Sequence, residues 1–123
     1  MRIIFTLLIT TFLISCNFEK PLTPQELKTG TFKTTLKNST DFSIATRNDS
    51  LQIETYNNKK DTFYINWKSD FEYVLKQKNP KNDIDSLEFV VKITGIHGKS
   101  YTFKAHYKGN KYIQKGTAKK IKN

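Results

Sequence analysis

The chain has 123 residues, of which 37% are apolar and 13% aromatic, enough for one small packed domain and too few for a multidomain enzyme. With 21 Lys and Arg against 11 Asp and Glu its net charge is +10, a balance that favours acidic partners such as nucleic acid, anionic lipid headgroups or charged glycans. Five glycines, three prolines and a single cysteine exclude collagen-like, low-complexity, disulfide-built and cysteine-zinc classes.

The N-terminus opens with Met1-Arg2, a run of apolar residues from Ile3 to Ile14, and Ser15-Cys16. This is signal-peptide anatomy over residues 1–15. The apolar run is too short for a transmembrane helix, which needs about 20 residues. Leu13-Ile14-Ser15-Cys16 resembles the lipobox of bacterial lipoproteins, in which the cysteine sulfur takes a diacylglyceryl group and the freed amine is acylated in turn. The resemblance implies lipidation at Cys16, and two or three acyl chains anchor durably where one holds marginally. Asn17 is not the aspartate that retains such proteins in the inner membrane. The expected destination is therefore the outer membrane, facing the periplasm.

Residues 16–28 read as a tether, with one helical turn at Thr23-Pro24-Gln25-Glu26-Leu27, where Thr23 is the cap and Pro24 the first helical residue. From there to the C-terminus, residues 29–123 read as a single β domain. Period-two alternation runs through Gly30 to Leu36, Phe42 to Arg47, Leu51 to Tyr56, Thr62 to Lys68, Phe71 to Leu75, Leu87 to Ile93, Tyr101 to Tyr107 and Tyr112 to Ala118. Turn chemistry separates them at Asn48-Asp49-Ser50, Asn57-Asn58, Ile96-His97-Gly98-Lys99 and Lys108-Gly109-Asn110. The longest loop lies between Gln77 and Asp85. Eight strands with hairpin-length connections and no useful helix predict an all-β, antiparallel up-and-down meander. That pattern closes into a small calycin-like barrel, with a two-sheet β-sandwich as the alternative.

Such a barrel is either just filled by its side chains or holds one small molecule. The rows predicted to face inward carry Phe32, Phe42, Phe63, Trp67, Phe71, Tyr73, Phe89, Tyr101, Phe103, Tyr107 and Tyr112, and rings of ~150–250 Å² each are expected to fill most of the interior. Trp67, Tyr101, Tyr107 and Tyr112 are the candidates for a ligand site or polar mouth, because buried hydroxyls need partners.

No motif names a reaction. His97 lies in a turn and His106 on an outward row, neither with a spacing that builds a triad or a zinc site. Asp70, Glu72, Asp83 and Asp85 are acids in turns and loops, the usual place of solvated carboxylates. No cofactor or metal is expected, and the chain reads as non-enzymatic. Lys111, Lys115, Lys119 and Lys120 form a basic C-terminal end that would meet anionic lipid or glycan at about 1 kcal/mol per residue near a charged surface, or would simply solubilise a β domain. Nucleic-acid binding would need exposed aromatics among the lysines, and most rings here are predicted to point inward.

The stretches Lys28-Thr29-Gly30-Thr31-Phe32, Thr46 to Glu54, Trp67 to Leu75 and Gln114-Lys115-Gly116-Thr117-Ala118 resemble a family of small Bacteroidota lipoproteins of unknown function. The likeness covers nearly the whole mature chain, and some relatives carry a topoisomerase IV label that a chain of this length with an export signal does not fit. Relatives with cysteine at the place of Phe71 imply no thiol role here. Taken together, these features predict a lipid-anchored envelope module for a binding partner or, alternatively, a calycin-like carrier of a small hydrophobic ligand.

Overall fold

The computed structural model describes residues 19–123; the leader and Cys16 lie outside the described residues. A one-turn helix, α1 (Pro24–Leu27), precedes eight strands: β1 (Gly30–Leu36), β2 (Phe42–Arg47), β3 (Leu51–Tyr56), β4 (Lys59–Ser69), β5 (Glu72–Gln77), β6 (Phe89–His97), β7 (Ser100–Tyr107) and β8 (Gln114–Lys122). Each strand pairs antiparallel with the next, and β8 returns to β1, so the sheet is a closed meander barrel. Closure leaves no strand edge unpaired. The single barrel replaces the sandwich alternative.

Local chemistry explains the turns. Asn57 and Asn58 both adopt positive φ (47° and 63°), the pair of left-handed residues that a two-residue hairpin between right-twisted strands requires. Asn48 accepts from the Ser50 and Leu51 amides at 3.0 and 2.9 Å, closing the β2–β3 turn by its side chain. Gly116 faces the interior, where a Cβ would stand 2.7 Å from both the Phe103 ring and the Thr35 carbonyl oxygen. The absent side chain is what lets the Phe103 ring lie across β8.

The two poles of the barrel differ. At one pole α1 forms a plug. Thr23 and Glu26 make a reciprocal capping box, with Glu26 N–H donating to Thr23 Oγ1 at 3.3 Å and Thr23 N–H to Glu26 Oε1 at 3.2 Å. Leu22 and Leu27 are buried in the core cluster with Phe32, Tyr73 and Tyr101, and the Leu22 amide donates to Gly98 in the β6–β7 turn at 3.0 Å. The predicted tether is therefore corrected: from Leu22 onward it is part of the domain, because two leucines and a capped turn seal the base. At the other pole the β1–β2, β3–β4, β5–β6 and β7–β8 connections surround an opening.

Three predicted inward aromatics lie outside. Phe42, Phe71 and Tyr112 are 50%, 49% and 72% exposed. Phe71 occupies the β4–β5 turn, and β8 begins at Gln114 because Asn110 holds the Tyr112 amide in the preceding loop at 2.9 Å. Phe42 is displaced by register. Phe32 is fully buried, and its directly opposite partner is Ala45, so Ala45 shares its face and Phe42 takes the other one. The same parity turns Ser43, Arg47, Gln52 and Glu54 inward, with Ala45 opposite Glu54 and Arg47 opposite Gln52. Strands β2 and β3 thus present their polar rows to the interior.

A candidate ligand-binding cup

That reversal hollows the barrel. A cavity of about 420 Å³ opens at the unplugged pole, so the expectation of a mostly filled interior is corrected: Phe71 and Tyr112 lie away from it, half-exposed Phe42 only borders its mouth, and short or polar side chains line the interior of β2 and β3. Its walls include Phe63, Leu75, Phe89, Val91, Phe103 and Tyr107, and its rim includes Ser39, Asp41, Tyr56, Asp61, Asp85 and Gln114.

Arg47 builds the floor. Its guanidinium donates through Nη1 to the Leu27 carbonyl oxygen at 3.1 Å and through Nη2 to the Tyr101 hydroxyl at 2.9 Å. It lies 4.2 Å over the Phe32 ring and 5.0 Å over Tyr73, a cation held between π faces. The hydroxyls of Tyr73 and Tyr101 are 3.1 Å apart. Burial, with Tyr101 adding to it, pushes the Tyr73 phenol well above its ordinary pKa, so it stays protonated and available to donate. Beside Arg47, Gln52 is 2% exposed and donates through Nε2 to Glu54 Oε1 at 3.1 Å. Gln52 Oε1 and Arg47 Nε are buried without a hydrogen-bond partner. Burial raises the pKa of the Glu54 carboxyl, against the opposing pull of Arg47 and the Gln52 hydrogen bond.

The predicted site residues separate in space. Tyr101 lies at the floor and Tyr107 on the wall, the latter packed on Phe89 with ring centroids 4.9 Å apart. Trp67 is corrected to the plugged pole, where it packs against Tyr73 at 4.7 Å and under Lys28; it does not line the cavity. Tyr112 stands in the exposed loop. Lys111, Lys115 and Lys119 are exposed, but Lys120 is corrected from surface to plug. Its ammonium donates to the Glu26 carbonyl oxygen at 2.7 Å and lies 5.8 Å from the Phe32 ring centroid, and burial lowers its pKa. Arg47 and Lys120 together satisfy carbonyls of α1 that a helix end leaves orphaned.

Arg47, Gln52 and Glu54 were missed by sequence reasoning because the louder apolar alternation of Phe42, Ile44, Leu51 and Ile53 set the parity. The findable signal was that Ser43, Ala45 and Arg47 alternate equally well, and that an arginine at a strand end has the reach to close a barrel.

Of the turn and loop acids, Asp70 forms an ion pair with Lys28 at 3.3 Å, and Asp85 reaches the rim. Among the described residues no three His, Cys, Asp or Glu side chains gather closely enough to hold a metal ion. His97 is corrected from turn to strand, exposed as the last residue of β6, and His106 Nδ1 lies 3.0 Å from the Tyr107 carbonyl oxygen.

Fold and cavity together define a calycin-like cup: an eight-stranded up-and-down barrel plugged at one end and open at the other. No protein-family model, curated protein or solved structure matches the chain.

Proposed function

We propose that this protein is a lipid-anchored envelope barrel that holds one small molecule in its cup, without catalysing a reaction. The observation that carries this reading is the single-mouthed cavity of about 420 Å³. It lies at the small end of the ~300–1,000 Å³ typical of ligand sites, and it sets an apolar wall of Phe63, Leu75, Phe89, Val91 and Phe103 against the polar wall of strands β2 and β3. The anchor reading is supported by the leader and the Leu13-Ile14-Ser15-Cys16 sequence. Native mass spectrometry of protein purified from its own envelope tests the carrier, which requires a stoichiometric small molecule and fails if the barrel is recovered empty under gentle conditions. Membrane fractionation of Cys16→Ser tests the anchor. Release of the variant into the soluble fraction is expected, and unchanged membrane association would defeat it.

A second reading, contact with an anionic surface, is favoured by a different observation. On the outer face Lys104 stands directly opposite both Lys92 and Lys115, and Lys33 opposite Lys119. Like charges directly opposed across strands destabilise a sheet, so this row has a cost that an anionic lipid or glycan layer would offset. Binding to vesicles containing anionic lipid, lost at high salt, is the expected result, and equal binding to neutral vesicles would count against it.

A further inference from the structure

The cup has the opposite charge sign from the rest of the molecule, and we propose that its ligand is an organic cation, an ammonium head on an apolar or aromatic body. This rests on the reading of the cup as a ligand site and adds the ligand's chemistry.

In a chain of net charge +10, the residues lining the cavity include four carboxylates, Asp41, Glu54, Asp61 and Asp85, and no lysine. The one cation there, Arg47, already directs its two terminal nitrogens at Leu27 and Tyr101. Among the described residues the ion pairs are Lys28 with Asp70 and Lys108 with Glu88, so none of the four cavity acids is in an ion pair, and Arg47 acts on Glu54 only from beyond ion-pair distance. Where cations outnumber acids almost two to one in the chain as a whole, four acids share the cavity lining with a single cation, which leaves the cup net negative.

The floor points the same way independently. Gln52 lines the cavity, is 2% exposed, and has an acceptor oxygen without a donor. Its amide nitrogen donates to Glu54, so the end of this cavity-lining side chain left without a partner is an acceptor. A buried acceptor left unmade costs about 1–3 kcal/mol, and an N–H from a ligand offsets it. Arg47 Nε, the other unpartnered buried atom at the floor, is a donor and suits a ligand that carries a hydroxyl or ether oxygen near its ammonium. The aromatic walls supply π faces for the cation and apolar area for its body. A metal ion fits less well, since the acids do not gather as a ligand set. A fatty acid would bring a carboxylate to four others.

The test uses the full chain in non-ionic detergent and three probes of one shape: 2-phenylethylammonium, 2-phenylethanol and 3-phenylpropanoate, titrated calorimetrically. The ammonium probe is expected to bind at least about tenfold more tightly than the carboxylate, even though the protein's overall charge favours the carboxylate. Glu54→Gln is expected to abolish that preference. Asp61→Asn, at the exposed rim where folding is not at stake, is expected to weaken the preference several-fold. If the alcohol or carboxylate binds as well as the ammonium, the cation assignment falls while the carrier reading stands. If none of the three binds, both fall. An ammonium preference that survives both substitutions overturns the assignment to these carboxylates.

Discussion

The guanidinium of Arg47, at the end of strand β2, donates to the carbonyl oxygen of Leu27, the last residue of α1, at 3.1 Å. A side chain inside the barrel thereby fastens the plug that seals it, and divides the cavity above from the leucine-packed base below. Removing this group strands the Leu27 carbonyl and breaks the bond to Tyr101. Hydrogen bonds to a charged group contribute about 1.5–3 kcal/mol each, so Arg47→Met is expected to lower unfolding free energy by roughly 3 kcal/mol, measured by urea denaturation. Arg47→Lys, which keeps the charge without the planar fork, is expected to recover less than half of the loss.

The plug itself should behave as part of the cooperative unit. Leu27 is fully buried, and truncating a buried leucine costs about 2–5 kcal/mol. Leu27→Ala is expected to fall in that range and to speed amide exchange at Leu22, whose N–H bonds to Gly98 across the base. Unchanged exchange there would show that the plug is not coupled to the barrel.

Gly116→Ala meets the Phe103 ring and the Thr35 backbone. Backbone cannot yield as a flexible side chain would, so a loss of about 1–3 kcal/mol is expected from overpacking. Pairing with Phe103→Leu should recover part of it, because the smaller side chain vacates one of the two contacts.

Glu54 makes stability depend on pH in a stated direction. Burial raises its folded-state pKa, so between the ordinary carboxylate pKa and the raised one the folded protein binds more protons than the unfolded chain, and stability falls as pH rises through that window. Denaturation midpoints from pH 4 to 7 are expected to show this component, and Glu54→Gln to remove it. Ammonium binding should have the opposite dependence, weakening as acid neutralises the carboxylate.

Lys104→Glu replaces two cross-strand repulsions, with Lys92 and Lys115, by attractions. A stabilisation of about 0.2–1 kcal/mol is expected, along with weaker association with anionic vesicles. A destabilised variant would show that the opposed lysines are already relieved by solvent.

The barrel was legible because period-two alternation with turn residues between short strands is a local signal, repeated eight times. Thr23, Pro24 and Glu26 likewise announce the helical turn before any tertiary contact is considered. Parity in β2 and β3 was not legible. Phe42 and Arg47 sit on opposite faces of one strand, and which face is inside is decided by pairing Phe32 with Ala45, a contact between strands. The cavity follows from that choice, so it too lay beyond a reading that counted rings strand by strand. Lys120 was hidden for the same reason, its partner being the Glu26 carbonyl 94 positions away.

The chain enters the molecule at the plug. Glu19 lies beside the Gly98 turn, on the pole opposite the mouth, and Cys16 precedes it by three residues, a reach of at most about 11 Å. With acyl chains on Cys16, the sealed base would sit against the bilayer and the mouth would look away from it. Such a barrel would collect its cargo from the aqueous space, not extract it from the lipid beneath, which suits a water-soluble amine better than a membrane-dissolved oil.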